Sequence, residues 1–179
     1  MSQTANVYAQ ALYSLAKEEG LGKTILEQME VLRQAVTEEP EFLTLLAAPN
    51  LSKAERCGIL DNSFRGKVEP YLLNFMKILT EKGYIRQFPD CCKAYRAEYN
   101  ADNGILPVTA VTAVALTQAQ TQKLTDKLEK LTGKTVELCN RIDPAVLGGV
   151  RLDYDGMRVD GTVQNRLDTI GSLLKNTVL

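Results

Sequence analysis

The hydrophobic period of this chain is helical up to Gly104 and mixed beyond it, and that switch bounds the folds open to it. Before it, apolar residues recur three and four positions apart in segments punctuated by Pro and Gly. After it comes Leu106-Pro107-Val108-Thr109-Ala110-Val111-Thr112-Ala113-Val114-Ala115-Leu116, a run rich in Val and Thr without a charged residue. A chain that is helical first and mixed afterwards is expected to be α+β, mainly α, with two cores. The polar sequence Asn100-Ala101-Asp102-Asn103-Gly104 reads as the linker. It divides a six-helix N-terminal bundle over 1–103 from a small β-α-β-β-(β)-α C-terminal domain over 104–179.

Six helices are read in the first part. From Ala5 to Glu18, residues Val7, Tyr8, Ala9, Ala11, Leu12, Tyr13, Leu15 and Ala16 cover roughly 200° of the helical wheel, about twice what one core needs. The segment from Gly22 to Thr37 carries one ordinary stripe, Ile25, Met29, Leu32 and Val36. Pro40 opens a short helix through Leu43, Leu45 and Leu46, which Pro49 ends, and Ser52 with Glu55 reads as a capping box for a fourth helix. Pro70 and Gly83 bracket a fifth, where Tyr71, Leu72, Leu73, Phe75, Met76, Ile78 and Leu79 again exceed about 200°. A sixth is expected from Ile85 to Asn100. The first helix is therefore either a central helix of the bundle or one with a second apolar flank for a partner, and the fifth is over-supplied in the same way.

In the second part the Ile105–Leu116 run reads as a strand. Thr117 and Gln120 cap a helix with the stripe Leu124, Leu128 and Leu131, and Val136, Leu138 and Ile142 alternate with polar residues along a second strand. That order favours parallel pairing with a right-handed connection if the two strands share a sheet. Val150, Leu152 and Tyr154, then Asp155-Gly156, then Met157 and Val159 form a hairpin pattern. Asp160 or Thr162 can cap a final helix bearing Val163, Leu167, Ile170 and Leu174.

Several chemistries are excluded or weakened. The chain has no histidine, which removes the usual general base and the commonest metal ligand. Lys and Arg number 21 against 22 Asp and Glu, so nothing in the net charge of −1 attracts nucleic acid or anionic lipid. No apolar run is long enough to span a bilayer and no signal peptide is evident. Cys57, Cys91, Cys92 and Cys139 lack metal-ligand spacing and are expected to be reduced. Gly22-Lys23-Thr24 resembles the end of a phosphate-binding loop, but Lys17 stands where that pattern requires glycine. The acidic trio Asp153, Asp155 and Asp160 is better placed for turn and capping roles than for a calcium loop, whose first and twelfth positions would be Arg151 and Thr162. Arg141, Arg151, Arg158 and Arg166 can equally be a partner face or a solvated surface.

The ordered pattern Ile142-Asp143-Pro144, Leu147-Gly148-Gly149-Val150-Arg151-Leu152, Val159-Asp160-Gly161-Thr162-Val163 and Arg166-Leu167 resembles the delta-subunit family of F-type ATP synthases, whose mitochondrial counterpart is the oligomycin-sensitivity-conferring protein. Tyr8-Ala9, Ala11-Leu12 and Gly83 join it, and the resemblance runs over essentially the whole chain. It departs at Asn6-Val7, where basic residues are common, and at Thr162, where serine is.

The resemblance implies a non-catalytic stator subunit without cofactor or metal, peripheral to the cytoplasmic face of the cell membrane through its complex. It implies that the first and fifth helices hold the N-terminal segment of an alpha subunit, and that the C-terminal domain meets the b subunits of the peripheral stalk. Combined with the helical wheel, it nominates Tyr8, Ala11, Leu12, Leu15, Leu72, Phe75, Met76 and Leu79 as partner-binding, with Gly148, Gly149, Asp160, Gly161 and Arg166 as signature positions. The competing expectation is a helical adaptor outside any synthase.

Overall fold

Proline and glycine punctuation sets the helices of the first half. The computed structural model describes residues 3–48, 50–146 and 148–162. Pro49 and Leu147 lie outside the described residues, as do the expected last helix with Val163, Leu167, Ile170 and Leu174, and the signature residue Arg166. The chain divides into two compact units, Met1–Tyr99 and Asn100–Leu179.

The first unit contains α1 (Gln3–Glu18), α2 (Gly22–Glu38), α3 (Pro40–Leu46), α4 (Lys53–Phe64) and α5 (Pro70–Glu81), then a 3-10 turn (Ile85–Gln87) leading into α6 (Phe88–Asp102), whose last three residues fall in the second unit. Ser52 and Glu55 form the reciprocal capping box of α4, satisfying two orphan N–H groups. Pro70 sits in the first turn of α5, where its missing N–H costs nothing. The core is closed by wholly buried Ile25, Met29, Leu46, Leu60, Leu72, Met76, Leu79, Phe88 and Tyr95. Tyr95 donates its hydroxyl proton to the Gly22 carbonyl at 3.1 Å and meets Tyr13 edge-on, so its one polar atom is satisfied.

Two helix bounds differ from expectation. The sixth α-helix begins at Phe88 rather than Ile85, because Ile85–Gln87 winds as a 3-10 turn. It continues through Asp102, so most of the expected linker is helical and only Asn103-Gly104 turns. Asn100 is buried inside that last stretch, which a solvated linker would not require.

The second unit contains β1 (Ile105–Thr112), α7 (Gln118–Thr132), β2 (Thr135–Ile142), β3 (Val150–Tyr154) and β4 (Met157–Asp160), with strand order β2-β1-β3-β4. Strands β1 and β2 are parallel and joined through α7, while β3 and β4 add antiparallel. The fold is therefore α+β and mainly helical. Strand β1 stops at Thr112, short of Leu116, because Thr112 Oγ1 donates to Val114 O and the Leu116 N–H turns to Asn140 Oδ1. Asn140 also donates to Ala110 O and to Thr112 Oγ1, at 2.9 and 2.8 Å. An amide thus fills a core-facing slot of the β2 alternation and fixes the strand end. Leu106, Val108, Leu128 and Val136 form the small core, backed by Leu124, Leu138, Leu152 and Tyr154.

Candidate interface sites

Helix α1 divides its apolar arc between two tasks. Ala5, Ala9, Leu12, Tyr13 and Ala16 are buried in the core, and the three alanines let the helix backbone lie close to its neighbours. Tyr8, Ala11 and Leu15 lie beside that stripe and stay accessible. Helix α5 divides the same way. Leu72, Met76 and Leu79 are 0% exposed, whereas Ile78 is 45% exposed.

Between the two accessible flanks runs a groove of 350 Å³, lined by Tyr8, Ala11, Leu12 and Leu15 from α1 and by Tyr71, Asn74, Phe75 and Ile78 from α5. Its walls are i, i+3/i+4, i+7 rows, the spacing that interlocks with the side chains of another helix. Tyr8 and Tyr84 meet at one end, with ring centroids 6.0 Å apart. At the other, Glu19 and Tyr71 come together. The charge of Glu19, then partial desolvation and a Glu19 hydrogen bond, and finally the charge of Glu69 hold the Tyr71 phenol above its usual range.

The structure therefore brings Tyr8, Ala11, Leu12, Leu15 and Phe75 together at the groove. Leu72, Met76 and Leu79 are not there. They form the neighbouring i, i+4, i+7 row, face the core, and have no surface for a partner to touch. Tyr71, Asn74 and Ile78 take their place. Tyr71 and Ile78 belong to the apolar arc read from the sequence, but the wheel alone could not say which of two parallel rows faces inward.

The second unit offers a different surface. Asp155 and Gly156 adopt φ of 48° and 73°, the two positive angles that a tight hairpin turn demands. Asp153 accepts from Arg158 Nε at 2.8 Å and has Arg151 Nε at 3.6 Å, while Asp160 accepts from the Thr162 N–H at 2.9 Å. Both carboxyls are held below the usual carboxylate range, Asp153 by the Arg158 hydrogen bond first, and Asp160 by a hydrogen bond from the Thr162 side chain first and from the Thr162 N–H second. The three aspartates thus serve a cross-strand pair, a turn and a loop closure. Among the described residues, no group of three or more Cys, Asp or Glu is arranged to hold a metal. Beside the hairpin a concavity of 590 Å³ runs from Thr109 to Arg158.

The signature glycines have a backbone task. Gly149 has φ of 85°, and a Cβ on it would lie 2.6 Å from the Gly161 carbonyl oxygen. The Gly161 N–H in turn donates to Val150 O at 3.0 Å. Gly149, Asp160 and Gly161 thereby join the entry of β3 to the exit of β4, with Gly148 in the bend just before.

Cys57, Cys91 and Cys92 are poor nucleophiles. Burial pushes the Cys91 thiol up to about 11 and raises Cys92 further, and desolvation with the Glu81 charge raises Cys57.

Residues 4–174 match the family described as ATP synthase delta (OSCP) subunit. The chain is 31% identical over 172 residues to an ATP synthase subunit delta of Alkaliphilus oremlandii, covering 96% of both chains. It is 30% identical over 167 residues to one of Clostridium kluyveri, covering 93% of this chain and 92% of that one. Its fold is similar to that of a chain in the cryo-EM structure of the Toxoplasma gondii mitochondrial ATP synthase hexamer, with a TM-score of 0.77, 21% identity, and coverage of 97% of this chain and 98% of that one.

Proposed function

The chain belongs to the ATP synthase delta (OSCP) subunit family, and from that premise we propose how its two halves divide the work of a stator. It is a peripheral-stalk component of an F-type ATP synthase and not a catalytic subunit. Family membership sets aside the adaptor outside the synthase. Among the described residues no helix is long and apolar enough to cross a membrane.

The groove between α1 and α5 is the seat of the N-terminal segment of an alpha subunit, bound as an amphipathic helix. We take 1–103 as one six-helix bundle for that purpose, and 104–179 as the part that meets the b subunits, with the complex held at the cytoplasmic face of the membrane. The observation that carries this reading is an open apolar groove whose walls have helical spacing. From Tyr8 to Leu15 it follows about 10 Å of α1, roughly the length of two turns of a docked helix. The mechanism is mechanical. A turning rotor drags the catalytic head with it unless a stationary linkage resists, so this subunit must bind at both ends and carry load while doing no chemistry, whether protons or sodium ions drive the rotor.

The test is titration of the full-length protein with a peptide copying the N-terminus of the alpha subunit of the same synthase, followed by amide NMR. Shifts should concentrate at Tyr8, Leu15, Tyr71, Phe75 and Ile78. Unmoved amides at these positions at high peptide concentration would overturn the groove assignment.

A further inference from the structure

The groove is not the same at its two ends. At the Tyr8 end its boundary is aromatic, made by Tyr8 and Tyr84. At the other end Glu19, one residue past α1, donates its N–H to the Leu15 carbonyl at 3.1 Å and so extends that wall by one turn, and Glu69 stands at the N-cap position of α5 just before Pro70. Both carboxylates act on the Tyr71 hydroxyl, which itself lines the groove. Among the described residues neither Glu19 nor Glu69 is ion-paired with a Lys or Arg, whereas Glu27 and Glu30 on the next helix are paired. An apolar bed ending in two carboxylates without a cationic partner among the described residues, one of them held by the Tyr71 hydroxyl, is complementary to an apolar helix ending in a cation.

We infer that the α1/α5 groove reads the direction of the helix it holds, taking an amphipathic helix with a Lys or Arg one turn beyond its last apolar anchor and laying that cation over Glu19 and Glu69. This rests on the reading that the groove receives a helix. Apolar rows fix affinity but are nearly symmetric end to end, so they decide direction poorly. The carboxylates supply the missing asymmetry. Asn74 lies midway along the α5 wall, so the bed has a polar interruption that a helix must also meet.

The experiment uses the full-length protein and two synthetic helical peptides with the same leucine anchors at i, i+4 and i+7. One carries a single lysine beyond the last anchor, the other carries it before the first, and each has a nitroxide at its lysine-free end. Paramagnetic broadening should fall on the Tyr8 and Tyr84 amides with both peptides, because each lies with its lysine over Glu19. Glu19→Gln together with Glu69→Gln should weaken both peptides about three- to ten-fold and abolish the fixed direction. Glu27→Gln on α2 should change neither. Peptides that bind but keep one N-to-C direction whatever their lysine position would overturn the inference while leaving the groove intact. Peptides that move no α1 or α5 amide would overturn the groove reading and the inference with it.

Discussion

On α5 of the helical unit, Ile78 and Tyr71 remain at the surface of an apolar groove, while on β3 and β4 of the sheet unit Asp153 and Asp160 are each already engaged. The contrast runs against first impressions of the sequence. Its chemically suggestive residues gather near the hairpin, yet their hydrogen-bonding capacity goes into holding the hairpin together. Its unremarkable leucines and tyrosines leave surface that the unit itself does not cover. Unused apolar area, more than accumulated charge, is what the proposed docking of a partner helix draws on.

That contrast has a sharp form within α5 itself, where one row faces the core and the next row faces the groove. Met76→Ala should lower unfolding stability by about 2–5 kcal/mol, since the side chain is wholly enclosed and leaves a cavity. Urea unfolding checks it. A loss well below about 1 kcal/mol would mean that the inner row is not packed as described. Leu15→Asp with Ile78→Asp should act in the opposite way. Both side chains are more than a third exposed, at 38% and 45%, so stability should move by less than about 1 kcal/mol for each. Peptide affinity should nonetheless fall by about a hundred-fold, because a charge placed against apolar anchors must be desolvated on binding. Calorimetric titration reads that loss. If Asp153→Asn weakened the peptide as much, the division of labour between the units would be wrong.

The sheet unit should be most sensitive at its backbone rather than at its charges. Gly149→Ala meets two penalties, a positive φ and a Cβ only 2.6 Å from a carbonyl oxygen of the Asp160-Gly161-Thr162 segment. A loss of about 2 kcal/mol is expected, seen as an earlier unfolding transition of the sheet unit by hydrogen exchange. Gly156→Ala has the same sign of φ but nothing within 4 Å, so it should cost less. Equal costs would show that the close approach of β3 and β4 ends is not what demands glycine.

What the sequence made legible follows the range of the physics. Capping boxes at Ser52-Glu55 and Thr117-Gln120, the proline of α5 and the Asp155-Gly156 turn all act within four residues, and each appears where local pattern places it. The parallel pairing of β1 with β2 was legible because a helix between strands leaves few alternatives. The inner and outer rows of α5 were not. Leu72, Met76, Leu79 and Tyr71, Phe75, Ile78 are both apolar at helical spacing, and only tertiary packing tells them apart. The helical reach of α6 into Ala101 and Asp102 was hidden for a related reason: the polar composition resembles a loop, while the buried Asn100 shows a tertiary environment overriding it.

The smallest expected effect tests whether the hairpin charges are structural. Asp153 and Asp160 have carboxyls held below their ordinary value of 3.8 in the folded chain. A depressed folded value means that the ionised form favours folding. The contribution is therefore complete above 3.8 and is lost as pH falls through the lower, folded values. Arg158→Gln removes the largest cause acting on Asp153, so the variant should be less stable than wild type at pH 6, and the gap should close as pH drops below 4 toward 2. Both carboxylates are solvent-accessible, which keeps the gap small and makes it shrink with added salt. Urea unfolding of the two proteins at pH 6, 4 and 3 reads it. Parallel curves would remove the Arg158–Asp153 pair from the forces holding β3 to β4, leaving the backbone ladder and the Gly149–Gly161 approach to do so, and would return Arg158 to the set of charges free for a partner.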